Sequence, residues 1–278
     1  MQGEIINCDS MQVYKGFDIG TDKIPSDKRE GIPHHLLDAV NPSTQFTAAE
    51  FAKLALKVTD LIHKKKRLPL IVGGTGLYIK ALIDGLFPEG KKDRLLRRKL
   101  EKEAEEKGLE SLREKLMEVD PVYCQKVGKN DKIRIIRALE IFYSTEKPIS
   151  EHFLNTRSYA EDFNIIKIGL KLEREILYRR IEERVDRMFQ KGIIQEVQNL
   201  LDSGIDENSP PFRALGYKYV LKVIKNEIST EEAISLTKRD TRHYAKRQMT
   251  WFRKMEGIKW FSPDDFSSIE EYAGNNLI

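Results

Sequence analysis

Short apolar runs alternate with longer stretches of helical spacing along this chain, and the runs read as the strands of a parallel sheet. The first is Ile5-Ile6, within Glu4 to Tyr14, and it breaks at Asp9 and Ser10. A buried parallel strand ends that way at the edge where open α/β sheets place their ligands. Asp and Ser also favour plain turns by bonding nearby backbone, and spacing alone weights the two readings equally. Lys15 to Pro42, rich in Gly, Pro, Asp and His, reads as irregular structure. His34 and His35 are adjacent there, and neighbours in sequence point apart, which argues against a two-histidine metal site. Thr47 to Glu50 is a capping box. Its helix carries Phe51, Leu54, Val58, Leu61 and Ile62 at helical spacing and closes at Lys64-Lys65-Lys66-Arg67, where positive charge suits the helix dipole.

Leu70 to Val72 reads as a second buried strand, followed by Gly73, Gly74, Thr75 and Gly76. The glycines allow a tight turn and close backbone approach. Thr75 stands near the N-cap of a helix from Leu77 to Leu86, either an anion site or an ordinary tight connection. Residues 88 to 163 change character. Lys91 to Glu118 holds ten Lys or Arg and eight Asp or Glu, so it reads as exposed helices of an insertion with few apolar anchors. Asn130 to Glu140 starts another helix, with Arg134 and Arg137 on one face, where by themselves they read first as surface salt-bridge partners. Phe163 to Leu172 is a third strand, and helices follow from Arg174 to Lys191 and from Ile193 to Leu201. Ser209-Pro210-Pro211 interrupts the chain before Arg213, which reads as a helix-start arginine able to reach a phosphate. Ile258 to Phe261 is expected to close the sheet.

Charge changes the picture at one place. The 278 residues carry a net charge of only +4, which permits a nucleic-acid partner without demanding one. From Lys238 to Lys254, however, seven Lys or Arg face the single Asp240. Arg239, Arg242, Lys246 and Arg253 share one helical face. Like charges in such a stripe repel unless a polyanion covers them. Trp251 and Phe252 are expected in the core rather than as stacking platforms. Cys8 and Cys124 are the only cysteines, which suits a reduced cytoplasm and excludes a four-cysteine zinc site. No apolar run approaches the ~20 residues of a membrane span, and no signal-peptide pattern opens the chain.

These stretches together resemble the tRNA dimethylallyltransferase (isopentenyltransferase) family. The matching segments are Glu4 to Thr21, the strand with Gly73 to Gly76, Asn130 to Glu140, Arg213 to Tyr217 and Lys246 to Arg253, in the family's order. The resemblance implies a P-loop-kinase-like α/β core over residues 1–87 and 164–278, with a parallel sheet flanked by helices. It implies a helical insertion over 88–163 that grips the anticodon arm. It implies transfer of a dimethylallyl group from dimethylallyl diphosphate to N6 of the adenosine on the 3′ side of the anticodon, with Mg²⁺, by a cytoplasmic monomer. Asp9 would be the general base. Thr75, Gly74 and Arg213 would meet the diphosphate. Ser10, Met11 and Gln12 would lie beside the adenine. Arg134, Arg137, Gly216, Tyr217, Arg242, Lys246, Arg247 and Gln248 would face tRNA, and no residue is expected as a dedicated metal ligand. The family's opening strand and Walker-type loop, roughly 25 residues, have no match here, so the resemblance also implies a large loss of transfer rate. Rival readings are a form that binds tRNA without transferring, a nucleoside-kinase-like phosphotransferase, and a prenyltransferase acting on free adenine nucleotides.

Overall fold

A computed structural model describes residues 2–86 and 93–277. In chain order the elements are β1 (Gly3–Asn7), β2 (His34–His35), α1 (Ala48–Lys64), β3 (Leu68–Val72), α2 (Gly76–Ile83), α3 (Arg94–Lys107), α4 (Leu109–Val119), α5 (Pro121–Lys126), α6 (Lys132–Thr145) and α7 (Ile149–Leu154). There follow β4 (Lys167–Leu170), α8 (Arg174–Gln190), α9 (Ile193–Asp202), α10 (Tyr217–Ile224), α11 (Thr230–Phe252), β5 (Ile258–Phe261) and α12 (Phe266–Asn276). The chain forms two compact units, Met1–Lys80 with Asp162–Ile278, and Ala81–Glu161. The junction expected between residues 87 and 88 lies outside the described residues.

In the first unit β1 is the middle strand of a parallel sheet ordered β2-β1-β3. Ile5 pairs with His34, and Asn7 with Val72. The two histidines thus form a short strand in a segment expected to be irregular. Ile258–Phe261 does not close this sheet. Among the described residues it pairs with β4 in a separate two-stranded parallel sheet. Each run finds a parallel neighbour, but periodicity says nothing about which strand that is. β3 also departs from its buried reading: Leu70, Ile71 and Val72 are 42%, 39% and 52% exposed, because only β1 pairs with this edge strand among the described residues.

The capping box is formed. The Thr47 hydroxyl accepts from Glu50 N, and the Glu50 carboxylate accepts from Thr47 N. The buried face of α1 is Phe51, Ala52, Ala55, Thr59 and Ile62, while Leu54 and Leu61 are exposed. The small side chains face inward where helix and sheet approach, and the stripe rotates accordingly. A second cluster ties α8, α9 and α10 to the loop after β1 through Val13, Tyr14, Phe17, Met188, Ile193 and Tyr217.

Glu4 is the one acidic side chain of β1 and is fully buried. His35 Nε2 lies 2.7 Å from it, Arg67 Nη1 2.7 Å and Lys65 Nζ 3.2 Å. The His35 hydrogen bond, then those of Arg67 and Lys65, overcome the burial penalty and hold its pKa at about 2. A carboxylate depressed in the folded state stabilises fully above its ordinary value of 4.5. That contribution fades as pH falls from there toward 2. Glu4→Gln leaves the cationic partners facing a neutral amide. It should lower the melting temperature at pH 7 by about 5 °C or more and flatten the acid limb of the melting-temperature profile. An unchanged acid limb would show that the cluster does not couple to folding.

The second unit has its own core: Leu100 of α3, Leu112 and Leu116 of α4, and Ile135, Ile136 and Leu139 of α6. The charge density of α3 conceals this, since Leu100 is its one buried residue. The apolar partners come from α4 and α6.

Candidate active site

Parallel pairing of β1 and β3 brings their C-terminal ends side by side. Cys8 N donates to Val72 O at 2.7 Å and Thr75 N to Cys8 O at 3.3 Å. The Asp9-Ser10 turn is therefore stitched to the Gly73–Gly76 loop. A side chain at Gly73 would collide with the Cys8 carbonyl, so glycine is what allows the two loops to meet.

Asp9 sits in an Asx-type turn, its Oδ1 accepting from Met11 N at 2.7 Å and Gln12 N at 3.2 Å. Its Oδ2 has no protein partner among the described residues. Asn7 braces the turn from below, donating to the carbonyls of Asp9 and Leu36. The Thr75 hydroxyl accepts from Ser10 N at 3.0 Å and lies 3.3 Å from Ser10 Oγ. Gln12 Nε2 donates to Thr21 O at 3.1 Å, tying the turn to the Asp18–Thr21 segment. The turn, one of the two alternatives in the sequence, is formed, and it holds the Asp9 carboxylate at the strand's C-terminal end.

α11 closes over this loop pair. Gln248 Nε2 donates to Gly74 O at 2.9 Å. A side chain at Gly74 would strike the Gln248 amide, and one at Gly76 the Trp251 indole. Trp251, expected in the core, is instead 36% exposed and lies against the start of α2. Tyr244 precedes Gln248 by one turn of α11 and is half-buried. The sequence reading missed it, although its i,i+4 spacing from Gln248 places it on the same helix face. Burial, then the Asp9 carboxylate, raises the Tyr244 pKa above the ordinary phenol value.

The other expected residues come from other elements of the chain. Arg213 ends a 3-10 turn, Pro210–Arg213, rather than starting a helix. It is exposed and has no ion-pair partner among the described residues. Tyr217 is fully buried: its hydroxyl donates to Glu196 Oε1 at 2.6 Å and accepts from Gly20 N at 3.1 Å. Gly216 is buried too and holds φ at 91°. Packing therefore turns Gly216 and Tyr217 into a brace for the Asp18–Thr21 segment instead of a surface facing RNA.

The basic stripe is partly neutralised. Lys238 pairs with Asp186 at 2.7 Å and Arg242 with Glu182 at 2.6 Å, both carboxylates from α8. Arg239 pairs with Asp240 at 3.1 Å. The α8 partners of Lys238 and Arg242 are some fifty to sixty positions away in sequence, where a local charge count cannot see them. Lys246 and Arg247 are exposed and have no such partner among the described residues; the Arg247 guanidinium lies 5.8 Å from the Tyr244 ring centre. In the second unit Arg134 pairs with Asp131, the N-cap of α6, and Arg137 with Glu140.

No group of three or more His, Cys, Asp or Glu among the described residues could hold a metal ion. One carboxylate and two hydroxyls at the strand ends do fit a Mg²⁺ that arrives on a diphosphate, since that ion keeps water and phosphate oxygens and needs few protein ligands. Two concave surfaces of the first unit, both lined by Asp18, Ile19 and Lys191, contain none of these residues. The paired strand ends form the candidate site. No described helix is long and apolar enough to cross a membrane.

An α/β core with an acid at one strand end and a glycine-threonine loop at its neighbour is the arrangement of a group-transfer enzyme acting on a phosphate-bearing substrate. Residues 12–255 match the IPP transferase family, and the chain belongs to it. It is 48% identical over 274 residues to the tRNA dimethylallyltransferase of Acetivibrio thermocellus, covering 98% of this chain and 88% of that protein. It is 45% identical over 272 residues to that of Geobacter sulfurreducens, with the same two shares. Among solved structures, the tRNA isopentenylpyrophosphate transferase of Bacillus halodurans superposes with a TM-score of 0.71 at 39% identity, over 99% of this chain and 88% of that one. A eukaryotic dimethylallyltransferase acting on tRNA gives 0.78 at 32% identity, over 99% and 71%. The fold is the family's P-loop-like α/β fold.

Proposed function

We propose that this chain transfers a dimethylallyl group from dimethylallyl diphosphate to N6 of the adenosine 3′-adjacent to the anticodon of tRNA. The observation that carries the reading is the Asp9 carboxylate, held by two backbone N–H groups on Oδ1 and open on Oδ2, beside the Ser10 and Thr75 hydroxyls. An exocyclic adenine amine is a weak nucleophile and must shed a proton. Asp9 Oδ2 takes that proton as the N6–carbon bond forms and the carbon–oxygen bond to diphosphate breaks. Pyrophosphate leaves with the bonding pair. Thr75, the Gly74 backbone and Arg213 receive its growing charge. A Mg²⁺ held by the diphosphate, with Ser10 or Thr75 as protein ligand, would supply further charge neutralisation.

Ser10, Met11 and Gln12 flank the adenine, which must leave the anticodon-loop stack to reach Asp9. Lys246, Arg247 and Gln248 meet RNA from α11, joined by Arg242 if its pair with Glu182 opens. The helical unit around Arg134 and Arg137 supplies the contact to the anticodon arm. Gly216 and Tyr217 support the site from within. The same reading makes the protein a cytoplasmic monomer, in keeping with its two buried free thiols.

The test is incubation with unmodified tRNA, dimethylallyl diphosphate and Mg²⁺, followed by digestion and mass spectrometry. Prenylated adenosine at the expected position supports the reading. ATP turnover without tRNA, and no prenyl product, would move the protein to the kinase-like class.

A further inference from the structure

Glu196 stands on α9, outside the loops of the candidate site, and its carboxylate binds backbone. Oε2 accepts from Asp18 N at 3.1 Å and Ile19 N at 2.7 Å, and Oε1 accepts from the Tyr217 hydroxyl at 2.6 Å. That hydroxyl in turn accepts from Gly20 N at 3.1 Å. One carboxylate and one phenol thus hold three consecutive backbone N–H groups, and bonds to an ionised acceptor are the stronger kind. Burial, then the Glu196 carboxylate, raises the Tyr217 pKa above the ordinary phenol value, so the proton stays on the bond between them. The next residue, Thr21, presents its carbonyl to Gln12 Nε2 at 3.1 Å. A side-chain amide has a donor end and an acceptor end, and its neighbours decide which end is engaged. The Thr21 carbonyl settles that choice: Nε2 is taken, and Oε1 has no protein partner among the described residues.

We propose that Glu196 is a positioning residue: by holding the N–H groups of residues 18–20 it fixes the Thr21 carbonyl, and that carbonyl orients the Gln12 amide with Oε1 free to accept from the incoming base. The inference rests on the transferase reading above, which sets Gln12 beside the adenine. The exocyclic amine there carries two protons. Asp9 Oδ2 takes one during transfer, and an acceptor on Gln12 suits the other. A purine with a carbonyl at that position would set acceptor against acceptor, and unpaired acceptors are costly. Lys23 secures the same segment separately. Its Nζ bonds Asp18 Oδ1 and Asp38 Oδ1 at 2.6 Å and Tyr14 O at 2.8 Å. Removing Glu196 therefore loosens the backbone of the segment without freeing it from the core.

Glu196→Ala removes the clamp, whereas Glu196→Gln keeps it, because a single oxygen accepts from both Asp18 N and Ile19 N. Glu196→Ala should raise KM for tRNA about tenfold while KM for dimethylallyl diphosphate moves less than about threefold. Glu196→Gln should bring KM for tRNA back to within about threefold of the wild type. Adding Glu196→Ala to Gln12→Ala should cost nothing beyond Gln12→Ala alone, since the two side chains act as one unit. An unchanged KM for tRNA, equal rises in both KM values, losses that multiply in the double variant, or no rescue by Glu196→Gln would overturn the inference. Should Glu196→Ala fail to fold, Tyr217→Phe takes its place in the same cycle, since it keeps the ring and loses only the bonds to Gly20 and Glu196. A wild-type protein that forms no prenyl product would instead refute the transferase reading. The coupling then has its own measurement: the side-chain NH₂ resonances of Gln12, assigned by their absence from Gln12→Ala. Movement of those resonances in Glu196→Ala supports the clamp, and unmoved resonances reject it.

Discussion

Asp9→Asn should reduce dimethylallyl transfer by about 10²- to 10⁴-fold while leaving the fold intact. Asn retains Oδ1, so the bonds from Met11 N and Gln12 N that shape the turn survive. The change falls on the other atom. Oδ2, the oxygen with no protein partner among the described residues, becomes an amide that donates hydrogen bonds and takes no proton. The adenine amine then loses its acceptor at the moment its lone pair engages carbon. Substrate binding should change far less than turnover, because the lost interaction belongs to the transition state. Single-turnover rates at saturating tRNA would check this. Transfer within threefold of wild type would remove Asp9 from the base role and leave it as a turn residue.

Charge reversal at Lys246 and Arg247 should weaken tRNA binding by about 30-fold or more near physiological salt. It should also lower the slope of log affinity against log salt by about 1.5 to 2. These two side chains differ from the N-terminal part of the stripe. Lys238, Arg239 and Arg242 already face Asp186, Asp240 and Glu182. An RNA phosphate would have to compete with a carboxylate there. Lys246 and Arg247 carry no such cost. Lys238→Gln serves as the comparison and should leave the salt slope nearly unchanged. Equal effects from Lys238→Gln and the double reversal would mean that the whole helix face, and not its C-terminal part, meets RNA.

Much of the local architecture was legible because its causes are local. The capping box at Thr47 and the strand run at Ile258–Phe261 each depend on residues within one or two turns, so helix α1 and strand β5 follow directly from spacing. The Asp9 and Thr75 loops were legible as candidates, since an acid or a glycine-threonine turn just past an apolar run signals a strand's C-terminal edge. That they belong to one site was carried by the family resemblance, since sixty-six positions separate them and only the β1–β3 register joins them.

What the sequence determined by itself was therefore the α/β class, the family, and the residue types at the strand ends. Each of these is written in short patterns whose physics involves near neighbours. Tertiary structure alone decided the rest. It rotated the α1 stripe onto Ala52 and Ala55 and divided the strands between two sheets among the described residues. It buried Tyr217 as a brace and paired Lys238 and Arg242 of the basic stripe with carboxylates of α8. Each of those outcomes turns on which surfaces meet across long separations in the chain. Burial and charge pairing are properties of that meeting, and no single segment contains them.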